Sequence, residues 1–254
     1  VVGSKYAELA TANGAEIITN AEILRITASS SGFALDTAAG TAQVNFLINC
    51  AGLQADRVAL LAGAKPDLQI VPFRGEYYEL APQKRSLIRS LIYPVADPRF
   101  PFLGVHFTRR VTGEVEAGPN AVLAFKREGY RKTDFSVADS LRAVSYGGFW
   151  KMAGRYWQTG MHEMWRSFSK SSFVAALQRL VPEIQSNDLV PAGSGVRAQA
   201  VGPDGALLDD FYFLPHGKAL HVCNVPSPAA TASLMIGKKI VEMAASQFDL
   251  VPSR

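Results

Sequence analysis

The chain has 254 residues, 48% hydrophobic, 10% aromatic and 19% charged, enough apolar material for one or two packed cores. Its formal net charge of +4 is mildly basic, and the basic pairs (Lys84-Arg85, Arg109-Arg110, Lys126-Arg127, Arg131-Lys132, Lys238-Lys239) are scattered, which excludes a nucleic-acid tract. No run of 18 apolar residues and no signal-peptide pattern is visible, and Cys50 and Cys223 sit in apolar contexts, so buried free thiols in a reducing, cytoplasmic compartment are expected.

In chain order, Tyr6, Leu9 and Ala10 keep helical spacing, and Gly14 is a natural stop after the last turn. The chain opens Val1-Val2-Gly3 almost directly into this helix, so it is expected to be a piece of a longer fold. Short strands are predicted over 16–19, 21–27 and 33–36. Val44 to Asn49 then runs nearly continuously apolar into Cys50-Ala51-Gly52, before a helix over 54–62. That is the pattern of a central parallel strand whose C-terminal end faces a ligand. Longer strands with Gly- and Pro-rich joints are predicted over 70–80, 91–94, 103–108, 115–117 and 122–125. Helices follow over 137–158, weakened by Gly147, Gly148 and Gly154, and over 170–180. Strands return over 192–201 and 207–213, and the chain closes on a strand and helix over 220–248. The expected class is α/β (α+β), with an antiparallel-sheet unit (68–190) inserted between two parts of an α/β domain (1–67 and 191–254).

Two stretches near the end carry the chemistry. Gly195-Val196-Arg197 places an arginine just after a glycine turn, where its guanidinium fork suits a carboxylate. Asn224 to Thr231 reads as strand, loop and helix start, with Ser227 an N-cap type and Pro228 at home in a first turn. A helix N-terminus offers N–H groups and a positive dipole end to an electron-rich partner. Together they suggest a carboxylate site beside a cofactor. No G-x-G-x-x-G, P-loop, C-x-x-C, H-E-x-x-H or G-x-S-x-G pattern is present, and His106, His162, His216 and His221 lack metal-ligand spacing, so no metal is expected.

Several runs resemble one family. They are Ile70-Val71-Pro72-Phe73-Arg74-Gly75-Glu76-Tyr77, Ile92-Tyr93-Pro94-Val95, Arg99-Phe100-Pro101-Phe102-Leu103-Gly104-Val105-His106-Phe107-Thr108, the stretch 118–130, Gly195-Val196-Arg197-Ala198-Gln199, and 224–231. Over essentially the whole chain they are similar to the L-2-hydroxyglutarate dehydrogenase/oxidase family of FAD-dependent, D-amino-acid-oxidase-like enzymes. The departure is the family's N-terminal G-x-G-x-x-G fingerprint, which this chain lacks. The resemblance implies a partial FAD-binding domain (1–67 and 191–254) around a substrate domain (68–190). It implies FAD as cofactor, a small dicarboxylate 2-hydroxy acid as substrate, and electrons passing to oxygen or to a quinone at the inner membrane. Other substrates of the same superfamily (glycine, sarcosine, glycerol 3-phosphate) and an inactive carboxylate-binding fragment remain alternatives.

Under that resemblance Arg197 clamps the substrate carboxylate, and the plain alternative is a surface arginine of a hairpin. His106 is the second catalytic candidate, as acceptor of the hydroxyl proton, against a structural histidine. Arg74, Lys126 and Arg127 are candidates for the distal carboxylate, against salt-bridged arginines; Tyr93 lines the cavity, against a core tyrosine. Cys50, Ala51 and Gly52 pass close to FAD, as do Gly195 and Val196. Ser227, Pro228, Ala229, Ala230 and Thr231 present a helix N-terminus to the flavin, against an ordinary helix cap. Trp150, Trp157 and Trp165 fall near one helical face with Met161 and Met164; such a stripe reads first as core, and otherwise as a peripheral membrane contact.

Overall fold

The computed structural model describes residues 2–95 and 104–250, so Arg99 to Leu103 of the family-like run lie outside the described residues. Helix α1 (Val2–Ala12) is followed by Gly14 at φ 88°, a conformation open to glycine because it lacks a Cβ. Strands β1 (Ile23–Ala28), β2 (Phe33–Thr37) and β3 (Gly40–Val44) form an antiparallel meander, while 16–19 forms no strand. The apolar run 44–49 serves two sheets. Val44 ends β3 opposite Phe33, and Leu47–Asn49 form β4 in a different sheet.

That second sheet has the order β10-β11-β4, with β10 at Tyr212–His216 and β11 at Ala219–Asn224. The expected parallel pairing is present between β4 and β11, with β4 at the edge rather than the centre among the described residues. Helix α2 (Ala55–Leu61) packs Ala55 and Ala59 into a core shared with Ile70, Ala200 and Cys223.

The third sheet contains β5 (Gln69–Leu80), β6 (His106–Arg109), β7 (Val115–Gly118), β8 (Val122–Leu123) and β9 (Leu189–Val201). Its order is β6-β7-β5-β8, and β9 pairs with β5 from Gln69↔Val201 to Leu80↔Leu189. Residues 191–201 therefore lie in the sheet of β5 and not with the C-terminal α/β part. Residues 91–94 contribute only an isolated bridge, Ile92↔Phe107, and Leu207 only a bridge to Val201.

Helices α3 (Val137–Ser145), α4 (Gly147–Phe168, kinked at Tyr156) and α5 (Lys170–Gln178) complete this part. The single helix expected over 137–158 breaks at extended Tyr146. A Cβ on the next glycine but one, Gly148, would stand 2.3 Å from the Gly202 carbonyl oxygen, so the break lies beside a close backbone approach. The core reading of the tryptophan stripe is overturned. Trp150, Trp157, Met161 and Trp165 are 60–66% exposed, while Met164 is half-buried. Helix α6 (Ser233–Gln247) starts after Ala232 with no side-chain cap, so Ser227 is not its N-cap.

Two buried polar contacts join these layers. Arg127 and Asp56, 4% and 3% exposed, form a two-pronged ion pair, with Arg127 Nη2 2.7 Å from Asp56 Oδ2. Asp56 Oδ2 also accepts from the Ile70 amide at 3.0 Å, and Arg127 Nη1 donates to the Leu53 carbonyl. Asn49 on β4 and His221 on β11 form the second contact: Asn49 Nδ2 lies 3.0 Å from His221 Nδ1. Asn49 Oδ1 accepts from the Ala51 amide, so Nδ2 is the donor and His221 carries its proton on Nε2.

Asp56→Ala leaves a buried guanidinium unpaired and is expected to cost about 3–5 kcal/mol of stability by urea denaturation. Burial, then the neighbouring His216, push the His221 imidazole down to about 4. The unfolded chain, with an ordinary histidine near 6.5, binds more protons between these values, so stability falls as pH drops from about 6.5 to 4. The contribution is up to about 1.4 kcal/mol per pH unit. Denaturation midpoints across this range should show that slope, and His221→Gln should lose it.

Candidate functional site

β9 and the exit from β11 form two walls of a cavity of about 270 Å³. One wall carries Arg197, Ala198 and Gln199; the other runs from Asn224 to Ser227 and on to Ala229 and Ala230, with Leu208 between them. The two chemically suggestive stretches of the sequence thus meet in space. The segment after β11 is a turn and not a helix start: Ser227-Pro228 is a cis peptide, and Thr231 Oγ1 donates to the Pro228 carbonyl at 3.2 Å. Ser227 therefore presents no helix N-terminus to a ligand, because the helix begins at Ser233.

Arg197 stands opposite Phe73 on β5, with Val196 opposite Arg74 and Gly195 opposite Gly75. It is half-buried, and burial lowers the pKa of its guanidinium. Side chains alternate across a strand and directly opposed residues share a face, so Arg197 and Arg74 project to opposite faces of the sheet. Arg74 is spent there. It pairs with Glu76 at 2.9 Å and donates to the Arg131 carbonyl at 3.1 Å. Arg127 is likewise held by Asp56. Both are corrections to the distal-carboxylate assignment: a guanidinium saturated by a buried internal carboxylate has little left for a ligand. Lys126 is exposed, in a loop tied to residues 52–54 through Gln54 Nε2 and Glu128 Oε1 at 3.3 Å.

His106 pairs with Gly118 on β7, while its neighbour Phe107 pairs with Ala117, which is followed by Tyr78 on β5. The alternation puts His106 on the Arg197 face, three strands away or roughly 14 Å sideways at the usual inter-strand spacing. It does not line the Arg197 cavity. Its ring stacks on Tyr93 with centroids 4.3 Å apart. Nδ1 lies 2.9 Å from the Gly104 carbonyl, which can only accept, so Nε2 is the basic nitrogen. Burial lowers the pKa of this imidazole and favours the neutral form.

Cys50, Ala51 and Gly52 are exposed at the end of β4, which corrects the buried-thiol expectation for Cys50. Asn49 shapes this loop through the Ala51 amide and through Nδ2 to the Ala55 carbonyl at 2.8 Å. Gly52 sits at φ 53°, and nothing lies within 4 Å of where its Cβ would be, so a flat ligand can approach the backbone closely. Sequence reasoning missed Leu208 as a wall residue, and gave Gln199 and Asn224, which lie in the two stretches it singled out, no role of their own. Gln199, two positions beyond Arg197 on one strand, was accessible from alternation alone.

The chain matches the profile of the FAD dependent oxidoreductase (DAO) family over residues 3–243. It is 48% identical to an L-2-hydroxyglutarate dehydrogenase of Indibacter alkaliphilus, covering 98% of this chain and 62% of that protein. It is 45% identical to the Escherichia coli K12 protein of the same name, covering 94% of this chain and 57% of the relative. The chain thus spans about three fifths of these relatives' length. Among solved structures it resembles an FAD-bound L-alpha-glycerophosphate oxidase from Mycoplasma pneumoniae (TM-score 0.68, 21% identity, 94% of this chain and 53% of that one). It also resembles a glycine oxidase from Geobacillus kaustophilus (TM-score 0.61, 16% identity, 96% and 53%). At these identities the structural likeness speaks for the fold alone. With the profile match from 3 to 243 and these relatives spanning nearly all of its length, the chain belongs to the FAD dependent oxidoreductase family.

Proposed function

We propose that this chain supplies the substrate-holding side of a flavoenzyme that oxidises L-2-hydroxyglutarate to 2-oxoglutarate. The observation that carries the reading is the cavity between Arg197 and 224–230; the exposed Cys50–Gly52 loop leaves the parallel β4–β11 pair at the same end as the β11 exit. The names of the relatives at 45–48% identity support the substrate. The residues present fit a flavin: an open glycine backbone at Gly52, small Ala229 and Ala230 in the cavity wall, and a buried unpaired amide oxygen on Gln199. Gly52, Ala229 and Ala230 would border the bound flavin, which would supply a two-electron acceptor for oxidation of the substrate's hydroxyl-bearing carbon.

The chain's own residues bind and orient. Arg197 grips a carboxylate through two parallel N–H groups, and its partial burial strengthens the interaction by reducing competition from water. His106 lies on the same sheet face with Nε2 as its basic nitrogen, and burial favours its neutral form, but three strands from Arg197 and outside the cavity it does not reach a hydroxyl beside the carboxylate that Arg197 holds. Lys126 is the remaining cation for a second carboxylate, since Arg74 and Arg127 are internally paired.

A second contact is proposed for α4. Trp150, Trp157, Met161 and Trp165 form one exposed stripe, and Lys151 and Arg155 lie on the neighbouring exposed side. That combination suits the head-group region of a membrane carrying a quinone acceptor. No described helix is long and apolar enough to cross a membrane.

Arg197→Ala should weaken binding of L-2-hydroxyglutarate about tenfold to a hundredfold by calorimetry, from the loss of charged hydrogen bonds. Unchanged affinity, or equal affinity of the wild type for glycine, rejects the diacid clamp. Vesicles rich in anionic lipid should shift the tryptophan emission to shorter wavelength, and replacing Trp150, Trp157 and Trp165 with Gln should abolish co-sedimentation. A wild-type chain that stays in the supernatant refutes the membrane contact.

A further inference from the structure

Gln199 has a bonding pattern that its place in β9 does not require. It is 1% exposed, and its Nε2 donates to the Ala200 carbonyl at 3.0 Å and to the Leu208 carbonyl at 3.1 Å. Carbonyl oxygens only accept, so these contacts fix which end of the amide is nitrogen; the exchanged orientation would set oxygen against oxygen twice. The Leu208 carbonyl is itself held by Asn224 Nδ2 at 3.3 Å, and Asn224 also donates to the Asp210 carbonyl at 2.6 Å. The remaining atom, Gln199 Oε1, is therefore fixed as well, and it is a buried acceptor with no hydrogen-bond partner. Buried side-chain acceptors are seldom left in that state. Gln199 also lines the cavity, two residues from Arg197 on the same side of the strand.

Arg197 can only donate, and Gln199 Oε1 can only accept. We infer that Gln199 is a ligand-binding residue: its Oε1 accepts a hydrogen bond from an N–H or O–H of a ligand whose electron-rich oxygen is held by Arg197. Two sources carry that chemistry. One is the imide N–H of a flavin ring, flanked by carbonyls; the other is the hydroxyl of a 2-hydroxy acid beside its carboxylate. The inference rests on the cavity being the ligand site proposed above.

Matched ligand pairs test it on the 254-residue chain without requiring turnover. Lumiflavin and N3-methyl-lumiflavin differ in the imide donor; L-2-hydroxyglutarate and glutarate differ in the hydroxyl. Affinities are read by calorimetry up to millimolar ligand, together with the shift of the Gln199 side-chain amide signals in a ¹⁵N spectrum. One parent ligand should bind about tenfold more tightly than its donor-less partner, equivalent to about 1.4 kcal/mol, and should move the Gln199 signals. In Gln199→Met that preference should vanish, whereas Arg197→Ala should weaken both members of the pair alike. Preference within the flavin pair assigns the donor to the cofactor; preference within the acid pair assigns it to the substrate. Equal binding within both pairs by the wild type overturns the role of Gln199, and if Arg197→Ala still weakens that binding, the Arg197 site stands without it. Binding of none of the four ligands overturns both readings.

Discussion

The buried ion pair between Arg127 and Asp56 is the joint on which the rest of the molecule depends. A carboxylate and a guanidinium taken out of water are tolerated only when their hydrogen-bonding capacity is filled. Here both oxygens of Asp56 meet Arg127, and they also accept from the Arg57 and Ile70 amides at 2.8 and 3.0 Å. The Arg127 amide donates to Asp139 Oδ2 at 2.8 Å, and Asp139 pairs with Arg57. One cluster therefore fixes the loop after β8, the start of α3, helix α2 and the start of β5.

That joint ties helix α2, which packs against Cys223 of β11, to the start of β5, and the cavity lies where the two sheets meet. One wall is β9, which follows β5 along nearly its whole length; the other is the exit from β11, which is tied to β4 by parallel pairing and by the Asn49–His221 contact. Neither sheet owns the cavity. The amides of Gln199 and Asn224 converge on the Leu208 carbonyl from the two walls, so the seam between them is hydrogen-bonded and not merely packed.

The arginines separate by their neighbours. Arg74 and Glu76 stand two apart on one strand and so project to the same face, where Ser167 Oγ and Asn120 Nδ2 complete the carboxylate's bonding at 2.8 and 3.1 Å. Arg127 meets Asp56 from across the chain. Arg197 instead borders the cavity. Arg74 and Arg127 are internal ties because of the acids that the fold places beside them.

Helices α1, α2 and α5 and the parallel character of β4 were legible in the sequence, although its place at the sheet edge among the described residues and its partner β11 were not. Those features depend on local spacing, on glycine conformation and on runs of apolar residues, all of which a linear chain carries. The sequence could not show that Asp56 would claim Arg127, that the tryptophan stripe of α4 would face outward, or that the helix after Pro228 would wait until Ser233. Each of these turns on which distant residue arrives as a partner. The same holds for the cavity: its two walls are separated in the chain by about two dozen residues and belong to different sheets. The chemistry of each wall was written in its residue types, but only tertiary packing decided that the walls would face one another, because burial and hydrogen-bond satisfaction are properties of neighbours in space.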